Sequence, residues 1–140
     1  MKRISQIILF SICSIYTAHA QSSADEFNEV SKVLNYYLVG GTNNDYETLE
    51  KAFHVNATMK FVAQDACQEV NALDFFQKGM KPGPPQDRKT FIESINIIGN
   101  VAQARLKIDY GTFYFHDYMQ LLKLDGEWKI TNKIFYKENK

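Results

Sequence analysis

The sequence has no excess charge of either sign: sixteen basic and sixteen acidic side chains cancel over 140 residues. Phosphate affinity rests on clustered Lys and Arg, so a nucleic-acid binder built on a basic face is excluded. Disorder is excluded too, because it goes with low hydrophobicity and high net charge, whereas 45% of these residues are hydrophobic and 14% aromatic. No apolar run reaches the ~20 residues a comfortable membrane span needs. There is no glycine-rich phosphate loop, since no strand precedes Gly40-Gly41. Histidines without a nearby cysteine or a spaced carboxylate give little support for metal, and neither zinc nor any cofactor is expected. The length supports one domain with a real core.

Residues 1–20 read as a secretory leader. Lys2 and Arg3 form the positive start, Ile7 to Tyr16 the apolar run, and Ala18-His19-Ala20 a small-x-small cleavage site before Gln21. A retained anchor is the alternative, and a lipoprotein reading at Cys13 lacks the small residue it needs just before the cysteine. Cleavage would remove Cys13 and leave Cys67 alone, so an exported, periplasmic or secreted domain 21–140 holds no internal disulfide. Cys67 is expected as a buried small hydrophobe.

The first half has helical periodicity. Phe27, Val30, Val33, Leu34, Tyr37 and Leu38 form one apolar stripe, with a capping box at Ser23 and Glu26 and a stop at Gly40-Gly41. Asn44 is expected to cap a second helix with Tyr46, Leu49 and Phe53 inward; a short strand follows at Ala57–Ala63. Asn71 then caps a third helix carrying Leu73, Phe76 and Met80, ended by Pro82-Gly83-Pro84-Pro85. From Arg88 to Lys137 the period changes to two. Turns at Gly99-Asn100, Gly111-Thr112 and Asp125-Gly126 join four strands into an antiparallel meander. Helices followed by strands predict an α+β domain with the helices on one sheet face.

Two-residue turns fix the strand register. They pair Leu121 with Ile130, Met119 with Asn132, Asp117 with Ile134 and Phe115 with Tyr136; Leu106 with Asp117; Phe91 with Ile108, Glu93 with Leu106 and Ile95 with Ala104. The inner face then collects Phe91, Ile95, Ala104, Leu106, Ile108, Phe115, Met119, Leu121, Ile130 and Ile134. The outer face collects Gln103, Arg105, Lys107, Lys129, Thr131, Lys133 and Lys137, with Tyr114, His116, Tyr118, Leu122 and Phe135 among them. A one-residue slip would invert a strand.

On this register Glu93 and Asp117 share an inner row, roughly 10 Å apart with strands ~4.8 Å apart. Asn132 lies diagonal to Asp117. A carboxyl group on an apolar wall is expected to hold its proton to higher pH, which suits acid–base chemistry. The competing reading gives both carboxylates structural roles. His54, expected at the end of the second helix, could face the pocket mouth. Asn56-Ala57-Thr58 fits a glycosylation sequon, which matters only in a eukaryotic secretory pathway.

Phe53-His54-Val55-Asn56-Ala57, Asp117-Tyr118-Met119-Gln120-Leu121-Leu122-Lys123 and Asp125-Gly126-Glu127-Trp128-Lys129-Ile130-Thr131-Asn132-Lys133 resemble the putative lumazine-binding branch of the nuclear transport factor 2-like superfamily. The resemblance implies a cone-shaped α+β barrel, with N-terminal helices packed on a curved antiparallel sheet and a cavity between them. It also implies kinship with ketosteroid isomerase, scytalone dehydratase and polyketide cyclase-like enzymes, which use pocket Asp, His or Tyr residues. Their catalytic arrangement is not recognisable here residue by residue. Asp117, Asn132 and His54 match the branch pattern.

The expected function is therefore an exported domain that binds a small apolar or aromatic molecule. Phe115, Met119 and Tyr136 would supply apolar contacts, Asp117 and Asn132 would orient the ligand, and Tyr46 and Glu93 would stand nearby. The alternative is a cofactor-independent lyase or isomerase. There Asp117 or His54 moves a proton, and Asn132 or Tyr46 supports oxyanion charge. A third reading is an interaction module that dimerises through the outer sheet face.

Overall fold

The computed structural model describes residues 4–140, with side chains from Ser23 onward. The side chains of the expected leader, Cys13 included, lie outside the described residues. Helix α1 (Ile4–Asn43) and helix α2 (Tyr46–Glu50) precede strands β1 (Phe53–Ala63) and β2 (Ala66–Asn71). Helix α3 (Ala72–Gly79) leads into β3 (Lys89–Ile98), β4 (Val101–Asp109), β5 (Phe113–Leu124) and β6 (Glu127–Asn139). One open, curved sheet has the order β2-β1-β6-β5-β4-β3. It is mixed rather than wholly antiparallel, because β1 runs parallel to β6. Among the described residues no helix is long and apolar enough to cross a membrane.

The apolar stripe of α1 buries Val30, Val33, Leu34, Tyr37 and Leu38 against the inner face of the sheet. The helix does not begin at Ser23, and Glu26 closes no capping box. Its carboxylate instead accepts from Lys123 Nζ and, at 2.7 Å, from the indole of Trp128. Nor do Gly40 and Gly41 end the helix. They are the places where other chain lies against it: a Cβ on Gly40 would stand 2.5 Å from Leu49 N, and one on Gly41 would run into the Arg88 guanidinium. The helix ends at Asn43, and Asn44 after it has a φ of +56°.

Two of its last carbonyls, orphaned in any helix, find partners in the segment before β3: Gln86 Nε2 donates to Gly41 O at 2.9 Å and Gln86 N to Thr42 O at 2.7 Å. Just before them, Arg88 Nη2 donates to Leu38 O at 3.1 Å. The cap of α2 is Asp45 rather than Asn44, accepting from Thr48 N at 3.0 Å. Asn71 caps α3 as its spacing predicts, accepting from Asp74 N.

The turns and the β4–β5 register follow the sequence reading, with Leu106 opposite Asp117 and Ala104 opposite Met119. The flanking strands carry one β-bulge each, which the reading lacked. On β3 the pairing passes from Ser94–Arg105 to Ile92–Leu106, leaving Glu93 without a partner. On β6 it passes from Leu121–Ile130 to Gln120–Asn132, leaving out Thr131. A bulged residue reverses the facing of everything beyond it. Phe91 and Ile134, expected inside, are therefore outside at 48% and 46% exposure, while Lys133 and Phe135 turn inward. Strand β2, Ala66–Asn71, carries no alternation that marks it in the sequence. Its hairpin turn uses Gln64 and Asp65, both at positive φ without a glycine. Cys67, on that edge strand, is exposed rather than buried.

Candidate functional site

Three polar side chains meet in the core beneath α1. Asp117, on the inner face of β5, is fully buried. Lys133, from β6, is 4% exposed, and Tyr37, from α1, is 5% exposed. Lys133 Nζ donates to Asp117 Oδ1 at 2.6 Å, and the Tyr37 hydroxyl donates to Oδ2 at 2.7 Å. Asp117 and Lys133 are diagonal neighbours across antiparallel strands, since Met119 pairs with Lys133 and Asp117 with Phe135.

Burial dominates the electrostatics. It raises the pKa of Tyr37 well above the ordinary tyrosine value, and the charge of Asp117 and its hydrogen bond add to the rise. The phenol therefore stays protonated and remains a donor. Burial lowers the pKa of Lys133. Asp117 opposes that shift, and the charge of Arg88 adds to it. The ammonium is thus easier to deprotonate than an exposed lysine.

Aromatic rings surround the cluster. Phe53 and Phe76 lie 5.7 and 5.8 Å from the Tyr37 ring. Lys133 Nζ stands 4.2 Å from the centroid of Phe135, which packs on Phe61 at 5.0 Å and Phe115 at 5.5 Å. Phe61, Phe76, Phe115 and Phe135 are only half-buried. The arrangement can hold a flat apolar body on the rings and offer donors and a carboxylate at its inner end.

Residues 25–136 match the family described as putative lumazine-binding. The chain belongs to this family. Comparison with curated proteins returns no match. Among solved structures, a nuclear transport factor 2-like protein of unknown function from Shewanella baltica is 28% identical. The match covers 84% of this chain and 97% of that one, with a TM-score of 0.76. Another of the same description, from Methylobacillus flagellatus, is 32% identical over 81% of this chain and 93% of its own, with a TM-score of 0.71. A ketosteroid isomerase-like protein from Erwinia carotovora shares the fold alone. It is 11% identical over 80% of this chain and 95% of its own, with a TM-score of 0.63. The lumazine-binding family and these structures establish a nuclear transport factor 2-like α+β domain.

Of the residues picked out by sequence, Asp117, Met119 and Phe115 lie on the inner face. The β6 bulge removes two others. Asn132 pairs with exposed Gln120 and donates to Thr58 Oγ1 at 2.8 Å instead of reaching Asp117, and Tyr136 is 67% exposed opposite His116. The β3 bulge removes Glu93, which bonds Arg105 Nε at 2.8 Å. His54 is a strand residue, because α2 stops at Glu50; its Nδ1 accepts from Asn56 N at 3.1 Å. Tyr46 opens α2, where burial and then the charges of Glu50 and Asp74 raise its pKa. No hydrogen bond among the described residues joins Tyr46 or His54 to Asp117.

The apolar period places Tyr37 on the buried stripe but does not show its partner. Two-residue alternation assigns Lys133 and Phe135 to the outer face, whereas the bulge turns both inward. Strict alternation through Lys129, Thr131 and Lys133 gives no sign of the bulge between them.

Proposed function

We propose that this domain binds a small, flat, largely apolar molecule between α3 and the inner sheet face. Its body would lie on the rings of Phe61, Phe115 and Phe135, with a polar edge toward Lys133 and Asp117. One observation carries this reading: a fully buried carboxylate and ammonium, set among half-buried aromatic rings. Apolar residues of similar volume in place of a buried ion pair are often neutral or stabilising, so stability alone is weak reason for the pair. Sites for small molecules are typically apolar with a few placed polar groups. The family description supports a small-molecule ligand. A thermal-shift screen over flavin-like, sterol-like and polyketide-like compounds tests the reading, because a ligand selective for the native state raises Tm. At least one flat aromatic class should raise it; no shift in any class sinks the reading.

The lowered pKa of Lys133 beside Asp117 favours a second reading, a cofactor-independent lyase or isomerase. In that case Asp117 takes the proton and Lys133 returns it, with no part for His54. Asp117→Asn should then abolish turnover of a substrate found among the binders.

Export is proposed on the leader pattern of residues 1–20; Edman sequencing of the mature chain should begin at Gln21. Self-association through the outer face is supported by Phe91, Tyr118, Leu122, Ile134 and Tyr136, all exposed there. Sedimentation should give a dimer that Ile134→Lys dissociates; a monomeric wild type refutes it.

A further inference from the structure

We propose that the site selects a flat aromatic molecule bearing one anionic oxygen, and that Lys133 is the residue that binds this oxygen. The inference rests on the binding reading above and narrows it to one charge class. The charges at the inner end do not balance. Lys133 and Arg88 are cations, and Asp117 is the one carboxylate bonded to either of them among the described residues.

The Arg88 guanidinium is occupied by neutral acceptors: Thr42 Oγ1 at 2.9 Å, Tyr110 Oη at 2.6 Å and Leu38 O at 3.1 Å. The C-terminus of α1 beneath it supplies roughly half a negative charge. Among these four groups that leaves an excess of about half a positive charge by the same measure. The field of Arg88 reaches Lys133, where it reinforces burial in opposing the ammonium. Tyr37 stays neutral and adds no negative charge.

The donors point the same way. A lysine ammonium has three donors, and Asp117 Oδ1 takes one of those on Lys133. No second oxygen accepts from this ammonium among the described residues. It faces instead the ring of Phe135 at 4.2 Å and that of Tyr37 at 5.7 Å. A ligand oxygen arriving along Phe135 would meet an unused donor, and an anionic one would also offset the excess charge. Hydrogen bonds with an ionised donor or acceptor are roughly twice as strong as neutral ones, and an anionic oxygen adds direct charge attraction to the ammonium. A carboxylate and a ring oxyanion share this chemistry.

The test compares matched probes by isothermal titration at neutral pH. For the carboxylate arm, 2-naphthoate is set against 2-naphthamide; for the ring-oxyanion arm, 7-hydroxycoumarin is set against 7-methoxycoumarin. In at least one arm the acidic probe should bind about tenfold tighter or better, as a charge-assisted bond implies. Bound 7-hydroxycoumarin should show phenolate absorbance at a pH where it is neutral in buffer. Lys133→Gln, which keeps a donor for Asp117, should bring the preference to within about threefold, the loss of that charge assistance. Should it fail to fold, Lys133→Met with Asp117→Asn removes the ammonium without leaving a lone buried charge and should do the same. Equal binding of acid and neutral probe to the wild type overturns the inference while leaving the binding reading intact. So does a preference that survives both variants. Failure of all four probes to bind counts against the binding reading itself, and the inference falls with it.

Discussion

Lys133 reaches Asp117 because Thr131 has no register partner on β5. Leu121 faces Ile130 and Gln120 faces Asn132, so the residue between them is skipped. The skip turns Lys133 from the outer face to within 2.6 Å of a fully buried carboxylate. Without it, Asp117 would face Ile134.

Breaking this pair one side at a time should be costly. Lys133→Met takes the ion-pair partner from the buried Asp117 side chain, a loss of about 3–5 kcal/mol in a typical buried pair. Adding Asp117→Asn should restore much of it, leaving a coupling energy of about 2 kcal/mol or more in a urea-unfolding double-mutant cycle. Additive losses would mean that the two side chains do not interact.

Tyr37 should make the fold sensitive to alkali. Its folded pKa lies above the unfolded value of about 10. The native state therefore keeps a proton that the unfolded chain has lost, and stability falls as pH rises past that value. The slope should be about 1.4 kcal/mol per pH unit for this single proton. Lys133 has the opposite shift and contributes a rise only up to its ordinary value of 10.5. Urea unfolding between pH 10.5 and 11.5 should show a shallower decline for Tyr37→Phe than for the wild type.

Glu26 links α1 to the β5–β6 hairpin and can be followed by the single tryptophan. Its hydrogen bond from Lys123 lowers its pKa most, followed by that from Trp128. Its contribution to stability is therefore present above the ordinary glutamate range and is lost as pH falls through the lowered folded value. Trp128 emission should titrate below pH 4.5, and Glu26→Gln should abolish that transition.

Two glycines should respond oppositely to alanine. At Gly40 the new Cβ would meet the backbone of Leu49 at 2.5 Å, and overpacking of this kind costs about 1–3 kcal/mol. At Gly79 it would meet nothing within 4 Å, and the stiffer unfolded chain should leave stability unchanged or raised by about 0.4–1 kcal/mol. Thermal unfolding of the two variants distinguishes them.

The legible parts of the fold were those governed by local period and turn chemistry. The stripe on α1 from Val30 onward, the Asn71 cap, the Asp125-Gly126 turn and the β4–β5 register all follow from residue spacing, whereas Phe27 at the start of the stripe is 50% exposed. So does the inward placement of Asp117, because β4 and β5 pair without a bulge. The parts that were not legible depend on contacts distant in sequence. Gly40 and Gly41 read as a helix stop, yet they accommodate Leu49 and Arg88. Glu93 and Thr131 are bulged where the ladder shifts register, and the alternation of neighbouring residues does not mark either position. Two single-residue skips moved Glu93, Asn132 and Tyr136 away from the site and moved Lys133 and Phe135 into it. An acidic residue predicted on an inner wall, as Glu93 was, can itself be a hint that the strand is bulged.

The central claim is that ligands enter the inner face over Phe135 and stop at Lys133. It is tested most directly by NMR titration of the protein, with lysine ammonium and aromatic signals assigned, using the strongest thermal-shift ligand. Lys133, Phe115 and Phe135 should shift together while Tyr136 and His116 stay fixed. Shifts confined to Tyr136, His116 and Tyr118, with Lys133 unmoved, would place binding on the opposite face and contradict the account.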